Sequence, residues 1–260
     1  MVVLALSLWH FGAVSSGANR PSPPSGEITR TPVLVELFTS EGCSSCPPAD
    51  RLLEKLDRSQ PVREADLIVL SEHVDYWNSL GWKDPYSSHE YSERQSGYAQ
   101  HFGLNSVYTP QMVVDGDAEF SGGDERRAIQ TIESASKAEK IPVVLSSIRL
   151  EDKHMLTLHL EAGPLTAAAS IRPARILVAL ADNSDESSVS RGENAGRMLR
   201  HVAVLRTLTQ VGSIDKRDKF SKDLTFKLNQ ENPEKLRILA IVQEPTPGKV
   251  WGVASFQLSN

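Results

Sequence analysis

The feature that most constrains the fold is the stretch VLVELFTSEGCSSCPPAD, which covers residues 33–50. Its first part, Val33–Phe38, has the length and the β-branched content of a buried strand. Beyond the cysteines, apolar side chains recur with the spacing of one helical face, at Ala49, Leu52, Leu53 and Leu56. Pro47 suits a first helical turn because its missing N–H would have no partner there. The sequence therefore predicts a buried strand that passes through a CxxC turn into a helix.

The two cysteines of the chain, Cys43 and Cys46, both lie in this turn, so they act with each other, with a metal or with another molecule. The positive end of a helix stabilises a thiolate, which favours Cys43 as a partly exposed attacking thiol. Asp50 would oppose that ionisation if it lies close. Cys46, one turn further in, would be the more buried resolving thiol. The alternative is a static structural disulfide or a pair of inert buried thiols.

A second apolar strand, at 66–71, follows the predicted helix. A strand, a helix and a strand in this order predict a right-handed parallel crossover. The carboxyl ends of parallel strands share one sheet edge, where ligands usually bind. We therefore expect the dithiol to lie beside the residues that follow the second strand, which are His73, Asp75, Tyr76 and Trp77.

The polar pair at this edge has three interpretations. His73 and Asp75 would form a proton-transfer pair, or His73 would join the cysteines in a soft-metal site, or it would cap a strand end while bonded to Asp75 or to backbone. The last is favoured because no further clustered Cys or His is apparent. The nearby aromatic side chains are expected to pack over the site: Tyr76, Trp77 and Trp82. The candidate substrate-binding residues are His73, Asp75, Trp77 and Tyr108.

The rest of the chain divides into two parts with different sequence patterns. Residues 78–102 are polar and aromatic, with helical character over 87–101. A strand at 112–114 leads through the hairpin signal Asp115-Gly116 into a short return strand, and a helix is predicted over 124–140. From residue 141, seven strand-like segments separated by turns predict an antiparallel β-sandwich-like domain. The predicted domains are therefore an α/β domain at 33–140 and a β-rich domain at 141–260.

The N-terminus and the charge bear on location and partners. An apolar run at 2–14, followed by small residues, predicts a signal peptide over 1–18 and hence an exported protein, although no Lys or Arg precedes the run. Residues 19–32, rich in Pro and Ser, predict a linker. A net charge of −5 with no basic cluster argues against nucleic-acid partners. No later apolar run is long enough for a stable membrane span once the signal is removed.

The order strand, CxxC, helix, strand, variable helical segment, Thr-Pro, β-hairpin and helix is similar to the thioredoxin fold. In that family a cis-proline precedes the hairpin strand and packs against the CxxC, and Thr109-Pro110 occupies that place here. The resemblance implies a cis bond at Pro110, with the Thr109 backbone beside the dithiol, where an extended substrate chain can pair. The separation between the motifs is longer than in a minimal thioredoxin, which implies an insertion at about 78–105.

A narrower resemblance rests on the segments ELFTSEGCSSCPPAD, HVDYW, RQSGYA, VYTPQMVVDG and RGENAGR. These resemble the bacterial exported proteins grouped as domain of unknown function 1223, a resemblance that implies fold and exported location and supplies no reaction. The last segment contains the dense polar group Arg191, Glu193, Asn194 and Arg197. One interpretation is a loop that docks over the thioredoxin-like face and selects the partner, and the family motif at these residues favours a structural role at the domain interface. The other is a solvated turn with local ion pairs.

Three hypotheses follow for function. The first is an exported thiol–disulfide oxidoreductase in which Cys43 attacks, Cys46 resolves, and Pro110 with Thr109 positions the substrate. It would act on protein or small-molecule thiols and disulfides and would need no cofactor. The second is a copper or zinc carrier that uses Cys43, Cys46 and His73. The third is a non-catalytic partner-binding module on a thioredoxin-like scaffold, with an inert dithiol.

Overall fold

The computed structural model of the protein describes residues 30–151, 154–165, 173–228 and 233–258. The predicted signal peptide and most of the predicted linker, at 1–29, lie outside the described residues. Among the helices in these ranges, none is long and apolar enough to cross a membrane.

The first half of the chain alternates strands and helices in the predicted order. Its elements are β1 (Thr31–Thr39), α1 (Pro47–Ser59), β2 (Ala65–His73), α2 (His89–Phe102), β3 (Gln111–Val114), β4 (Ala118–Ser121) and α3 (Glu125–Ala135). The last helix ends at Ala135, before the predicted Lys140. Asp124 caps its first turn by accepting a hydrogen bond from the Arg127 N–H (3.0 Å).

Strand β1 is central because it pairs on both sides. It runs parallel to β2, with Thr39 opposite His73, and antiparallel to β3, with Leu37 opposite Met112. Residues 33–39 are all buried because both faces of this part of the sheet are covered. One face packs against α1 and α3, and the other packs against α2 and against residues of later strands. The parallel pair ends at one edge, where Thr39 and His73 lie side by side and the CxxC turn begins.

The second half contains all seven predicted strands. They are β5 (Val143–Glu151), β6 (Met155–Ala162), β7 (Ala174–Ser188), β8 (Met198–Ile214), β9 (Phe220–Lys227), β10 (Leu236–Gln243) and β11 (Val250–Gln257). Four of them extend the first-half sheet to eight strands in the order β11-β10-β7-β8-β2-β1-β3-β4. The other three form a sheet in the order β5-β6-β9. The structure is thus mixed α/β around one large sheet, whereas the sequence predicted that all seven strands would form a sandwich of their own.

The two halves meet where β8 lies beside β2. The strands run parallel there, with Ser71 opposite Val204. Strands β7 and β8 form a long hairpin of 15 and 17 residues whose last pair is Ser188 with Met198. The hairpin continues beyond Val204 towards the sheet edge that carries the CxxC turn. Its connecting segment, residues 189–197, is called the hairpin loop below.

The three-stranded sheet covers one face of the second half. Alternate side chains of β6, at Leu156, Leu158 and Leu160, are buried in a core with β7 and β10 residues such as Ile176 and Ile238. The alternation that predicted this strand therefore reflects one buried and one solvent-facing side. The second half contacts the CxxC turn through the β7–β8 hairpin.

The turn between β3 and β4 shows why the dipeptide Asp115-Gly116 predicts a hairpin turn. Both residues have positive φ, 51° at Asp115 and 64° at Gly116. A side chain at Gly116 would place its Cβ 1.8 Å from the carbonyl oxygen of Gly248, so only glycine fits. The Val250 N–H donates to the Asp115 carbonyl (2.7 Å), which ties this hairpin to the β10–β11 connection.

Candidate functional site

The CxxC turn links β1 to α1. Its cysteines are joined by a disulfide with an Sγ–Sγ distance of 2.18 Å and a Cα–Cα distance of 5.4 Å. Pro47 is the first residue of α1, as predicted, whereas Cys46 is its N-cap and does not lie one helical turn in. The Ala49 N–H donates to the Cys46 carbonyl at 2.8 Å, which closes the first turn. The disulfide therefore lies at the positive end of a 13-residue helix.

The prediction that Cys43 is partly exposed is wrong. Cys43 and Cys46 are both 0% exposed, while Ser44 and Ser45 between them are exposed. The physical reason is long-range, because the hairpin loop, more than 140 residues later in the chain, packs on this turn.

Asn194 makes the central contact of the hairpin loop. It is 0% exposed, and its side-chain amide donates to the carbonyl oxygens of Glu41 (2.8 Å) and Cys43 (3.0 Å). Arg197 Nη1 donates to the Asn194 side-chain oxygen (2.9 Å), so the amide is held from both ends. One side chain thus fixes the backbone on which Cys43 is carried.

Glu193 makes the second contact of the hairpin loop. Its carboxylate accepts a hydrogen bond from the Ser44 N–H (3.1 Å), which lowers the pKa of Glu193. Gly192 packs beside Trp82, whose Cβ would lie 3.2 Å from a Cβ at that position. Of the polar group predicted from sequence, Glu193, Asn194 and Arg197 form this contact, while Arg191 is exposed.

Replacement of Asn194 by alanine is expected to uncover Cys43. The substitution leaves two buried carbonyl groups without their donor, which costs about 1–3 kcal/mol. If this free energy holds the hairpin loop closed, alkylation of Cys43 in the reduced protein should become about tenfold faster. The measurement is the rate of iodoacetamide labelling followed by mass spectrometry. Asn183→Ala on β7 is the matched control, because that side chain accepts a bond from Arg237 away from the turn. Equal labelling rates in wild type and Asn194→Ala would contradict the role of this contact.

The Thr109–Pro110 peptide bond is cis, which confirms what the resemblance implied. Pro110 is buried, and its carbonyl accepts from the Gly122 N–H (3.0 Å). A side chain at Gly122 would place its Cβ 3.1 Å from Pro110 Cβ and 3.2 Å from Ala49 Cβ. Pro110 therefore lies close to the first turn of α1, with a glycine between them where a larger residue would collide.

Trp77 links the CxxC turn to the Thr-Pro segment. Its Nε1 donates to the Thr109 hydroxyl (2.8 Å), and its Cβ would lie 3.0 Å from a Cβ at Gly42. Tyr108 faces elsewhere, since its hydroxyl donates to the Glu119 carboxylate and its pKa is raised by burial and by that carboxylate. Trp77 thus packs between the CxxC turn and Thr109, where the sequence predicted that aromatic side chains would pack over the site.

His73 and Asp75 do not form the predicted pair. His73 Nδ1 lies 2.7 Å from Asp84 Oδ2, and both side chains are fully buried. Burial alone would raise the pKa of Asp84, but the charge and hydrogen bond of His73, together with hydrogen bonds from the Glu41 and Tyr86 N–H groups, outweigh it and lower that pKa. Asp75 instead accepts from the Ser92 hydroxyl and lies 3.3 Å from His89, because the chain after β2 turns it towards α2.

A cluster that the sequence did not reveal lies beside the CxxC turn. It consists of Glu41, Asp50 and His201, called the acid–imidazole cluster below. His201 Nε2 lies 3.3 Å from Glu41 Oε1, and His201 Nδ1 lies 3.8 Å from Asp50 Oδ1, an ion-pair distance too long for a hydrogen bond. All three residues are buried. Glu41 and Asp50 flank the motif in sequence, but His201 comes from β8. No pattern near the CxxC therefore predicts that His201 belongs to the cluster.

The charge state of His201 follows from these contacts. Burial lowers its pKa, but the carboxylates of Asp50 and Glu41 outweigh burial and raise the pKa to about 10, above the ordinary value of 6.5. The two carboxylates therefore favour the protonated form of His201. Because its folded pKa is the higher one, this protonation stabilises the fold below pH 6.5, and the contribution is lost as the pH rises through about 10.

The metal hypothesis finds no ready cluster in the part of the chain that the structure describes. Within those ranges, no group of three or more His, Cys, Asp or Glu side chains is arranged to hold a metal ion. The copper or zinc carrier stays a prediction.

The fold and the site define a class: a mixed α/β protein that carries a CxxC disulfide at a helix N-terminus beside a cis-proline. The chain belongs to the family described as protein of unknown function (DUF1223), whose profile matches residues 34–243. A thioredoxin of Methanocaldococcus jannaschii is 31% identical over 97 residues, which is 37% of this chain and 87% of the thioredoxin.

Two solved structures are similar over most of the chain. A crystal structure of an Agrobacterium tumefaciens protein, a structural-genomics target, is 27% identical with a TM-score of 0.67, covering 89% of this chain and 96% of that protein. HBP35 of Porphyromonas gingivalis is 15% identical with a TM-score of 0.65, covering 88% of this chain and 76% of that one. The second likeness concerns the fold alone.

Proposed function

We propose that the protein is an exported thiol–disulfide oxidoreductase that uses the Cys43–Cys46 pair. The observation that carries the proposal is the disulfide at the N-terminus of α1, with Pro110 packed close to that helix turn. A structural disulfide needs neither the helix end nor the proline. Together they are the setting in which a thiolate is stabilised and an incoming chain can be aligned.

The proposal includes a thioredoxin-like domain at 33–140 followed by a β-rich domain at 141–260. The first is supported by the local strand order β2-β1-β3-β4, with β1 and β2 parallel and β3 and β4 antiparallel to their neighbours. The similarity to the archaeal thioredoxin supports it as well. The β-rich domain would restrict access to the dithiol through the hairpin loop.

The chemistry is a reversible two-electron exchange. In the reduced protein, the Cys43 thiolate attacks one sulfur of a partner disulfide, forms a Cys43–partner disulfide and releases the other partner sulfur as a thiolate. The Cys46 thiolate then attacks Cys43 Sγ, which forms the Cys43–Cys46 disulfide and releases the second partner thiolate. The dithiol is oxidised, the partner disulfide is reduced, and each partner thiolate takes up a proton. The reverse sequence oxidises a partner dithiol.

Access to Cys43 requires movement of the hairpin loop. Both sulfurs are buried, and the loop is fixed by hydrogen bonds to the carbonyl of Cys43 and the N–H of Ser44. A partner that displaces the loop would meet Trp77 and the Thr109 backbone beside the dithiol. We assign the positioning of a protein or small-molecule substrate to these residues. His73, Asp75 and Tyr108 act at most indirectly, since their polar groups are already engaged within the protein.

The exported location is part of the same proposal. It rests on the predicted signal peptide at 1–18 and on the chemistry, because disulfides persist in oxidising compartments. Fusion of residues 1–32 to a reporter that is active only after export would test it, with the same reporter lacking these residues as the control.

Exchange between the reduced protein and oxidised glutathione tests the proposed activity. The wild type should lose both thiols with the release of two equivalents of reduced glutathione, measured by mass spectrometry and thiol titration. Cys43→Ser should lose this activity because the attacking sulfur is gone. If the wild type and Cys43→Ser behave alike, and neither exchanges with glutathione or with a protein disulfide, the proposal is wrong.

A further inference from the structure

The two carboxylates of the acid–imidazole cluster flank the CxxC in sequence. Glu41 precedes Cys43 by two residues and Asp50 follows Cys46 by four, so a buried carboxylate stands on each side of the CxxC. The Asp50 N–H donates to the Cys46 carbonyl (3.1 Å), which keeps this carboxylate in the first turn of α1. The cluster is therefore attached to the backbone of Cys46, and the Asn194 amide bridges the carbonyls of Glu41 and Cys43.

Each carboxylate is fixed by neutral donors as well as by His201. Trp82 Nε1 (2.7 Å) and the Ser187 hydroxyl (3.2 Å) donate to Glu41 Oε2. The Thr39 hydroxyl donates to Asp50 Oδ1 (2.8 Å). These bonds position the carboxylates without cancelling their charge. The imidazolium of His201 is the cation that faces both of them.

Two buried carboxylates would oppose the thiolate that exchange requires. A like charge near an ionisable group disfavours its charged form, so Glu41 and Asp50 raise the free energy of a Cys43 thiolate. The α1 N-terminus acts in the opposite direction, but an interior of low dielectric strengthens the repulsion as well. An imidazolium between the two carboxylates offsets their negative charge and so reduces their electrostatic repulsion of the Cys43 thiolate.

Several other titratable groups face His201, from each element packed against it. From β2, His73 meets its ring edge to face, with centroids 4.6 Å apart, and His73 is paired with Asp84. From the segment before α2, the Tyr86 ring lies with its centroid 5.8 Å from that of His201. Burial and nearby carboxylates raise the pKa of the Tyr86 hydroxyl above its ordinary value, so this hydroxyl is neutral at neutral pH. From β7, Asp185 stands opposite His201 in the register. These groups add no cation at the Glu41 and Asp50 oxygens that His201 contacts.

We propose that His201 is a positioning residue for the dithiol, whose imidazolium neutralises Glu41 and Asp50 on either side of the CxxC and so keeps the Cys43 thiol able to ionise. The inference rests on the proposed function, since an inert disulfide needs no ionisable thiol. In this proposal a residue of the second half, His201 on β8, favours the ionisation of a thiol in the first half. Residue His201 lies on the strand that joins the two halves of the sheet, so the cluster forms only when both halves are folded together.

The test is a titration of the Cys43 thiol by thiolate absorbance, in a Cys46→Ser background so that one sulfur titrates. His201→Gln should raise the thiol pKa by about one unit, which is about tenfold less thiolate at neutral pH. His201→Lys retains a cation and should restore the wild-type value. Glu41→Gln removes one carboxylate and should lower the thiol pKa. The pair Glu41→Gln with His201→Gln should fall between the single variants.

The outcomes separate this inference from the proposed function. His159→Gln in the three-stranded sheet, where the ring is paired with Asp223, is the control for removal of a histidine. An unchanged thiol pKa in His201→Gln, in a wild type that exchanges with glutathione, overturns the inference and leaves the activity. A wild type without exchange rejects the activity, whatever the titration gives. If His201→Gln does not fold, a thiol pKa in Glu41→Gln that is equal to or above wild type overturns the inference.

Discussion

In the Cys46→Ser variant, exchange with a partner disulfide is expected to stop at the mixed disulfide on Cys43. The wild type resolves this intermediate by an intramolecular attack from a sulfur already within bonding distance of Cys43. Without Cys46, release depends on a second thiol from solution. Loss of the intramolecular route should slow release by about a hundredfold or more, because held reactants have effective concentrations far above those in solution. Mass spectrometry of the adduct over time measures the rate.

The structure indicates why the adduct should form on Cys43 and not on Cys46. The hairpin loop covers the turn through Glu41, Cys43 and Ser44, so opening the loop frees the backbone of Cys43 first. Cys46 is the N-cap of α1, and its carbonyl is engaged by the helix. Cys43→Ser should therefore give no adduct. Ser59→Ala, at the far end of α1, removes only a hydroxyl that donates to the Lys55 carbonyl and should release at the wild-type rate. A stable adduct on Cys46 in Cys43→Ser would reverse the assigned order of attack.

The elements of the first half were predictable because their signals are local. The apolar run that became β1, the spacing of Leu52, Leu53 and Leu56 in α1, and the Asp115-Gly116 turn each depend on neighbours in sequence. The seven later strands were found for the same reason. Their arrangement was not, because the pairing of β8 with β2 joins residues more than 130 positions apart. A pattern along the chain shows that a strand exists and does not show which strand it pairs with.

The candidate site divides in the same way. The CxxC and its helix follow from local patterns, and the cis bond at Pro110 was implied by the resemblance to the thioredoxin fold. The burial of Cys43 and the charge of His201 depend on contacts made across the fold, and neither has a local signal. The partner of His73 was missed for a subtler reason: Asp75 and Asp84 both follow β2, and only the path of the intervening segment decides which reaches the ring.

The largest loss of stability is expected on the opposite face of the sheet, from Arg94→Met. Arg94, on α2, is buried against two carboxyl groups that are themselves fully buried, Glu36 on β1 and Glu72 on β2. Its Nε lies 3.0 Å from Glu36 Oε1, and its Nη1 donates to Gln243 on β10 (2.9 Å). Removal of one partner from a buried ion pair costs about 3–5 kcal/mol, because the remaining charge is left without compensation. Urea unfolding followed by tryptophan fluorescence measures the change.

The pH dependence of this loss distinguishes charge from lost packing. Burial, followed by the charge of Glu36, raises the pKa of Glu72 in the wild type, against the lowering effect of Arg94. Without Arg94 the pKa of Glu72 should lie further above that of the unfolded chain, so the variant binds more protons when folded and regains stability as the pH falls. Arg200→Met breaks an exposed pair with Glu186 and should cost about 0–1 kcal/mol. A loss in Arg94→Met that is as small, or that does not change with pH, would mean that the buried pair contributes packing and no charge compensation.

Because alternate residues of β1 face opposite sides, Glu36 points away from the face that carries Thr39 and Asp50. The same variant should therefore leave the Cys43 thiol pKa unchanged, and this separates the charge network that holds the sheet together from the one that serves the dithiol.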